Sequence, residues 1–136
     1  MRIAGLVIAA LVFALPATGA ASAVKATLRT SGPTVVVDQP WRYTITVRTV
    51  SGEPLRARAS LRLLAGTTAV ACWQDGAMKQ LLPQSECDWI TFKGKRTGTL
   101  TFPAQAVGVT LGFQAVVRVG TKTVRLRAPV TVRATS

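Results

Sequence analysis

The sequence predicts an all-β domain that follows an N-terminal leader, and three observations support this prediction. Long runs alternate apolar and polar residues with a period of two, which places successive side chains on opposite faces of a strand. Valine and threonine, which favour strands, are abundant, and no window shows the repeat of an amphipathic helix. Clusters of turn-forming residues separate the runs. The length of 136 residues allows one domain and not two.

Residues 1–23 are predicted to be a secretory signal peptide. A short positive start precedes the apolar run 3–15, which Pro16 closes, and a small-residue cleavage site ends at Ala23. An uncleaved membrane anchor is the alternative, but a spanning helix needs about 20 apolar residues and this run is shorter. We therefore expect a mature domain of residues 24–136, secreted or held in the cell envelope, with no transmembrane span.

Seven to nine short strands are predicted after the leader, a number and spacing typical of a β-sandwich or β-barrel. Turn residues at 51–54, 65–67 and 93–98 separate them, and residues 120–122 join the last two as a hairpin. Pro129 has no N–H to donate to a ladder, so we expect it at an edge or at a bulge. The candidate strands, in chain order, span residues 25–30, 34–37, 41–48, 55–63, 69–73, 89–92, 99–102, 110–119 and 123–132.

Two cysteines, Cys72 and Cys87, lie at the base of a segment that breaks the alternation. Residues 74–88 are interpreted as a long excursion between two strands. In an oxidising compartment an even pair of cysteines most often forms a disulfide, which would tie this loop at its base. A thiol nucleophile or a metal ligand is the alternative, but the chain has no histidine to act as a partner.

Two parts of the chain resemble bacterial secreted immunoglobulin-like modules. The first is the segment 34–47 (Thr-Val-Val-Val-Asp-Gln-Pro-Trp-Arg-Tyr-Thr-Ile-Thr-Val) with the turn 52–55 (Gly-Glu-Pro-Leu), and the second is 100–108 with the strand that follows it. The resemblance implies one antiparallel immunoglobulin-like β-sandwich and a role as a spacer, an adhesin or a carrier of binding loops. Asp38 stands where glycine is common in these modules. The cysteines are also closer in sequence than the inter-sheet pair of antibody domains.

Seventeen lysines and arginines against five acidic residues give a formal net charge of +12. Many arginines occupy the polar phase of predicted strands. In an immunoglobulin-like topology the strands 55–64, 110–119 and 123–133 share one sheet, so these arginines would form a positive outer face that attracts anions. The predicted anion-binding residues are Arg56, Arg58, Arg62, Arg118, Arg125, Arg127 and Arg133. The alternative is that they only keep the face solvated and oppose edge-to-edge aggregation.

The composition argues against several other classes of protein. Without histidine, a Ser-His-Asp triad and a His-ligated zinc are excluded, and no phosphate-binding loop or metalloprotease motif is present. We therefore expect no enzyme activity, no cofactor and no metal site. No zinc finger, helix-turn-helix signature or basic helix predicts specific nucleic-acid binding.

The leading functional hypothesis is a non-catalytic binding or structural module whose arginine face docks to an anionic cell-surface polymer or an acidic protein surface. The alternative is a protein-interaction module, or a secreted effector or inhibitor, that contacts its partner through the disulfide-tied loop 72–87. Trp73 and Trp89 flank the cysteines and are candidate carbohydrate-stacking residues. They could instead pack over the disulfide and the core. The sequence does not specify an oligomeric state.

The leader hypothesis predicts a defined new N-terminus. Expression of the full chain in a secreting bacterium should release a protein that begins at Val24, as measured by intact mass and N-terminal sequencing. Ala23→Tyr places a bulky side chain at the cleavage site and should block processing. Release of an uncleaved chain that begins at Met1 would contradict the hypothesis.

Overall fold

The computed structural model describes residues 8–13 and 23–135, with side chains described from residue 23 onward. The rest of the predicted signal peptide lies outside the described residues. The described chain is all-β, with one short 3-10 turn at Ala104–Ala106 and no α-helix. Its strands are β1 Ile8–Phe13, β2 Val24–Thr30, β3 Thr34–Val36, β4 Trp41–Thr49, β5 Arg56–Ala65, β6 Thr68–Gln74, β7 Ala77–Gln80, β8 Ile90–Lys93, β9 Lys95–Leu100, β10 Thr110–Val119 and β11 Lys122–Arg133.

The strands form two sheets in a sandwich-like arrangement. Sheet A has the antiparallel order β1-β2-β4-β9. Sheet B has the order β3-β11-β10-β5-β6-β7, and β8 pairs with the part of β5 that β6 leaves open. The expectation of a wholly antiparallel sandwich is wrong for sheet B, which is mixed because β3 runs parallel to β11 while its other pairs are antiparallel. Among the described residues, no helix has the length and apolar character needed to cross a bilayer.

Aromatic side chains fill the space between the sheets. Trp41 and Tyr43 lie on the core phase of β4, as the alternation predicts, and each is about 1% exposed. Phe113 from sheet B packs edge-on against Trp41 with ring centroids 5.3 Å apart, and Phe102 does so at 5.9 Å. The indole N–H of Trp41 donates a 2.6 Å hydrogen bond to the carbonyl of Gly32, so its polar atom is satisfied within the core.

Three turns follow the chemistry of their residues. Gly120 and Thr121 close the predicted hairpin between β10 and β11. Asp38, where the resembling modules favour glycine, has a φ of 63°, and the Gln39 N–H donates to the Val36 carbonyl at 3.0 Å. Aspartate tolerates this left-handed conformation better than most residues do, so the turn forms although glycine is absent. Pro129 lies where β11 pairs with β10 alone among the described strands, as expected for an edge.

Two predictions about the strands are wrong in part. The excursion 74–88 is not wholly a loop, because β7 returns along β6 as a hairpin. Asp75 and Gly76 both have positive φ, as a two-residue hairpin turn requires. The predicted turn 93–98 is also too long, because only Gly94 separates β8 from β9, whose first residues pair with β4. The described residues contain eleven strands, one within the predicted leader and ten after it, so the predicted number of seven to nine is too low.

The Tyr43 ring lies directly over Gly98 of β9. A Cβ atom added at Gly98 would overlap the Tyr43 hydroxyl, so only glycine leaves room for this ring. The hydroxyl is buried and has no hydrogen-bond partner among the described residues. A buried polar group without a partner lowers stability by about 1–3 kcal/mol.

Tyr43→Phe should therefore leave the free energy of unfolding unchanged or raise it by about 1 kcal/mol, because it removes the unpaired hydroxyl and keeps the ring. Urea denaturation measures the difference. Tyr43→Leu is the matched control, and it should lower stability because it leaves a cavity beside Phe113. A clear loss of stability in the phenylalanine variant would mean that the hydroxyl has a partner.

Candidate anion-binding site

The topology of sheet B brings together most of the predicted anion-binding arginines. The strands β5, β10 and β11 are neighbours, as predicted. Arg58 of β5 pairs directly with Arg118 of β10. Gln114 of β10 pairs with Arg62 of β5 on one side and with Arg127 of β11 on the other. Val116 of β10 pairs in the same way with Ser60 and Arg125. Arg62 is half-buried and the other four arginines are exposed. We refer to this set as the arginine cluster, which consists of Arg58, Arg62, Arg118, Arg125 and Arg127.

Two predicted residues lie at the margins of this face. Arg56 is at the first position of β5, opposite Lys93 of β8, and extends the positive surface at that end. Arg133 is at the far end of β11, opposite Val36 of β3. Arg133 lies six positions along the strand from Arg127, or about 20 Å at 3.3 Å per residue. Arg133 therefore does not belong to the cluster.

No carboxylate neutralises the arginine cluster in the described chain. All the acidic residues lie in turns and loops, at Asp38, Glu53, Asp75, Glu86 and Asp88. The one ion pair among the described residues joins Lys79 to Asp75 at 3.8 Å, and both side chains belong to the exposed β6–β7 hairpin. Guanidinium groups that lack a carboxylate partner keep their charge available for an external anion.

Arg127 is held flat against the sheet. Its guanidinium donates a 2.8 Å hydrogen bond to the carbonyl of Gly66, in the turn between β5 and β6. The side chain crosses Gly112 of β10, where an added Cβ would lie only 2.5 Å from Nε and 2.6 Å from Nη2 of the guanidinium. Gly112 therefore provides the space for this conformation. A side chain that is already fixed loses less entropy when it binds a ligand.

Trp89 lies on the same outer face. The guanidinium carbons of Arg58 and Arg118 are 5.2 and 5.1 Å from the centroid of its ring, within cation–π distance. Trp73, the other candidate stacking residue, is half-buried and packs against the core. The structure thus separates the two tryptophans that flank the cysteines, and it brings only Trp89 to the arginines.

The predicted Cys72–Cys87 disulfide is present, and it explains how Trp89 reaches this face. Cys72 pairs in register with Arg62, so it shares the outer phase of sheet B, yet it is fully buried. The Asp88 N–H donates a 2.8 Å hydrogen bond to the carbonyl of Trp73. The disulfide and this hydrogen bond tie the returning segment to β6 just before Trp89.

Asp88, next to the disulfide, has a structural role. The carboxylate of Asp88 accepts a 2.8 Å hydrogen bond from the Asp75 N–H, which holds the hairpin turn. Among the described residues, no group of three or more histidine, cysteine, aspartate or glutamate side chains is placed to hold a metal ion.

A second set of cationic residues was not predicted as a site from the sequence. Arg29, Arg42, Arg48 and Lys95 line an open groove on the outer face of sheet A. In the sequence they occupy the polar positions of alternating strands, as the arginines of the cluster do. They were missed because only the strands expected in one sheet were considered as a common surface.

The chain was compared with known protein families, with curated proteins and with solved structures, and none of them matches it. Its function is therefore inferred from the surfaces described above.

Removal of the disulfide should loosen the segment that carries Trp89. The bridge closes a loop with a sequence separation of 15, for which chain-entropy models give about 3 kcal/mol of stabilisation. The double variant Cys72→Ala, Cys87→Ala should lose about this free energy of unfolding in urea. Hydrogen exchange should accelerate in residues 81–89 more than in β4. Unchanged exchange in that segment would contradict the positioning role of the bridge.

Proposed function

We propose that the protein is a non-catalytic binding module, secreted or at the cell surface, that docks an anionic polymer through the arginine cluster. The observation that supports this function best is a sheet face with five arginines and no carboxylate within salt-bridge distance among the described residues. A face that served only for solubility would gain from mixed charges, because clustered like charges repel one another.

The geometry of the cluster suits an extended ligand with repeated charges. Arg62 and Arg127 are two strands apart, about 10 Å, and Arg58 lies about 13 Å along β5 from Arg62. Each guanidinium presents a planar fork that holds a carboxylate, sulfate or phosphate with two parallel hydrogen bonds. The ring of Trp89 lies against two of these guanidinium groups, those of Arg58 and Arg118, and limits their rotation.

We also propose that the domain is a variant of the immunoglobulin-like sandwich. The order β2-β4-β9 in sheet A matches the A-B-E order of that fold. The order β11-β10-β5 in sheet B matches G-F-C, and β6 with β7 occupies the place of the additional C′ and C″ strands of variable-type domains. This assignment places the arginine cluster on the outer face of the G-F-C strands.

A second candidate function uses the disulfide-tied loop 72–87 as a contact for a protein partner. Leu82 is 47% exposed and Val70 is 38% exposed, and the backbone hydrogen bond from Leu81 to Val70 holds the two segments together. An exposed apolar pair at the edge of a sheet is a common element of protein interfaces. This surface is chemically distinct from the arginine cluster, so the two functions respond to different variants.

The variant Arg58→Ser, Arg62→Ser, Arg125→Ser tests the polymer-docking function. Arg118 and Arg127 stay in place, so the contact of Arg118 with Trp89 and the hydrogen bond from Arg127 to Gly66 remain. With immobilised heparin as the probe, we expect affinity to fall at least tenfold, since each charge-assisted hydrogen bond contributes about 1.5–3 kcal/mol. The dependence of the dissociation constant on salt concentration should also become less steep.

The matched control is Lys79→Ser, Lys122→Ser, Arg133→Ser, which removes the same charge outside the cluster and should retain most of the affinity. Thermal denaturation checks that both variants fold. Equal losses in the two variants, or binding that is insensitive to salt, would contradict docking by the cluster. In the same assay, a Gly/Ser linker in place of 75–85 should leave heparin binding unchanged. Loss of binding to a native protein partner on that replacement would support the loop instead.

A further inference from the structure

The outer face of sheet A carries a groove that has the features of a second anion site. The groove is open to solvent and has a volume of about 790 Å³. It crosses the strands β2, β4 and β9. We call it the threonine groove, and its principal residues are Arg29, Arg42, Arg48, Lys95, Thr44 and Thr46.

Strand register sets the pattern of the threonine groove. Thr44 lies beside Arg29 of β2, and Thr46 lies beside Lys95 of β9. Arg42 and Arg48 stand at the two ends of the row on β4, six residues or about 20 Å apart. The floor therefore consists of hydroxyl groups, and cations stand at both ends and on both sides.

Hydrogen bonds within the groove fix its floor. The hydroxyls of Thr44 and Thr97 are 3.1 Å apart, which joins β4 to β9 on the outer face. At one end, the backbone N–H of Arg42 donates a 3.0 Å hydrogen bond to the hydroxyl of Ser31. At the other end, the guanidinium of Arg48 donates to the carbonyl of Gly52 at 3.3 Å. The charged groups thus stand on a framework that is in place before a ligand binds.

The chemistry of the lining identifies the class of ligand. The lining contains no carboxylate and no aromatic ring. Cations bind acidic groups, and threonine hydroxyls exchange hydrogen bonds with sugar hydroxyls. Single-stranded nucleic acid relies on base stacking on aromatic side chains, which this groove cannot offer. These features favour an acidic polysaccharide.

We propose that the threonine groove binds an acidic polysaccharide and that the protein bridges two such chains. The groove lies on the outer face of sheet A, and the arginine cluster lies on the outer face of sheet B, with the core between them. The two sites point in opposite directions, so a short ligand cannot occupy both. The groove as a site stands on its own observations, whereas bridging rests on the proposed function of the arginine cluster. Bivalent attachment raises the avidity for a surface without any new contact.

Binding stoichiometry tests this proposal. A heparin hexasaccharide, titrated into the protein produced from the full chain, should bind at two sites, as measured by native mass spectrometry. The groove variant Arg29→Ser, Arg42→Ser, Lys95→Ser should bind one, and so should the cluster variant Arg58→Ser, Arg62→Ser, Arg125→Ser. The control Lys79→Ser, Lys122→Ser, Arg133→Ser has the same net charge and should still bind two. With long heparin, light scattering should rise for the wild type and the control, and should stay low for both single-face variants.

The outcomes separate the two proposals. One bound hexasaccharide that is lost only in the cluster variant would overturn the groove and leave the proposed function intact. A single bound hexasaccharide that is lost only in the groove variant would overturn both docking by the cluster and bridging, and it would support the groove as a binding site. A groove that binds oligothymidylate more tightly than a hexasaccharide of equal charge would overturn the polysaccharide assignment.

Discussion

The alternation of inward and outward residues along the central strands is the constraint on which the structure depends. The inward half fills one aromatic and aliphatic core, in which Trp41 and Phe113 hold the sheets together. The outward half is then free to be polar, and in this chain it contains cations and hydroxyls while every acid lies in a turn or loop. A single periodic pattern therefore fixes the core and also gives both outer faces the same sign of charge.

The disulfide links this framework to the arginine cluster. Without the Cys72–Cys87 bridge, residues 81–89 would be held by individual hydrogen bonds such as those of Leu81 and Asp88, because no strand pairing secures them in the described chain. With the bridge, this segment ends at Trp89, whose ring lies beside two guanidinium groups. A covalent bond on β6 thus limits the motion of arginine side chains on β5 and β10, which matters for a surface made of long, flexible arginines.

Sequence periodicity predicted most of the strands and the phase of the arginines. Turn residues predicted the final hairpin, and the even pair of cysteines predicted the disulfide. The β6–β7 hairpin was not predicted, because the Asp75-Gly76 turn lies inside a segment that breaks the alternation of apolar and polar residues. The start of β9 was missed because lysine and arginine next to glycine suggested a turn. The contacts of Trp89 depend on the path of a loop across another strand. The threonine groove depends on which strands become neighbours, and local sequence does not specify either feature.

The pairing of β1 with β2 has a consequence for the width of sheet A. Cleavage after Ala23 would remove β1 and leave β2, a strand of seven residues, as an edge strand with one row of unpaired backbone N–H and C=O groups. Edge strands can pair with strands from other chains and are a frequent origin of aggregation. Lys25 and Arg29 alternate with the buried residues of β2, and two copies that paired along this edge would bring like charges together. The same cations that line one side of the sandwich would thus act as gatekeepers against self-assembly.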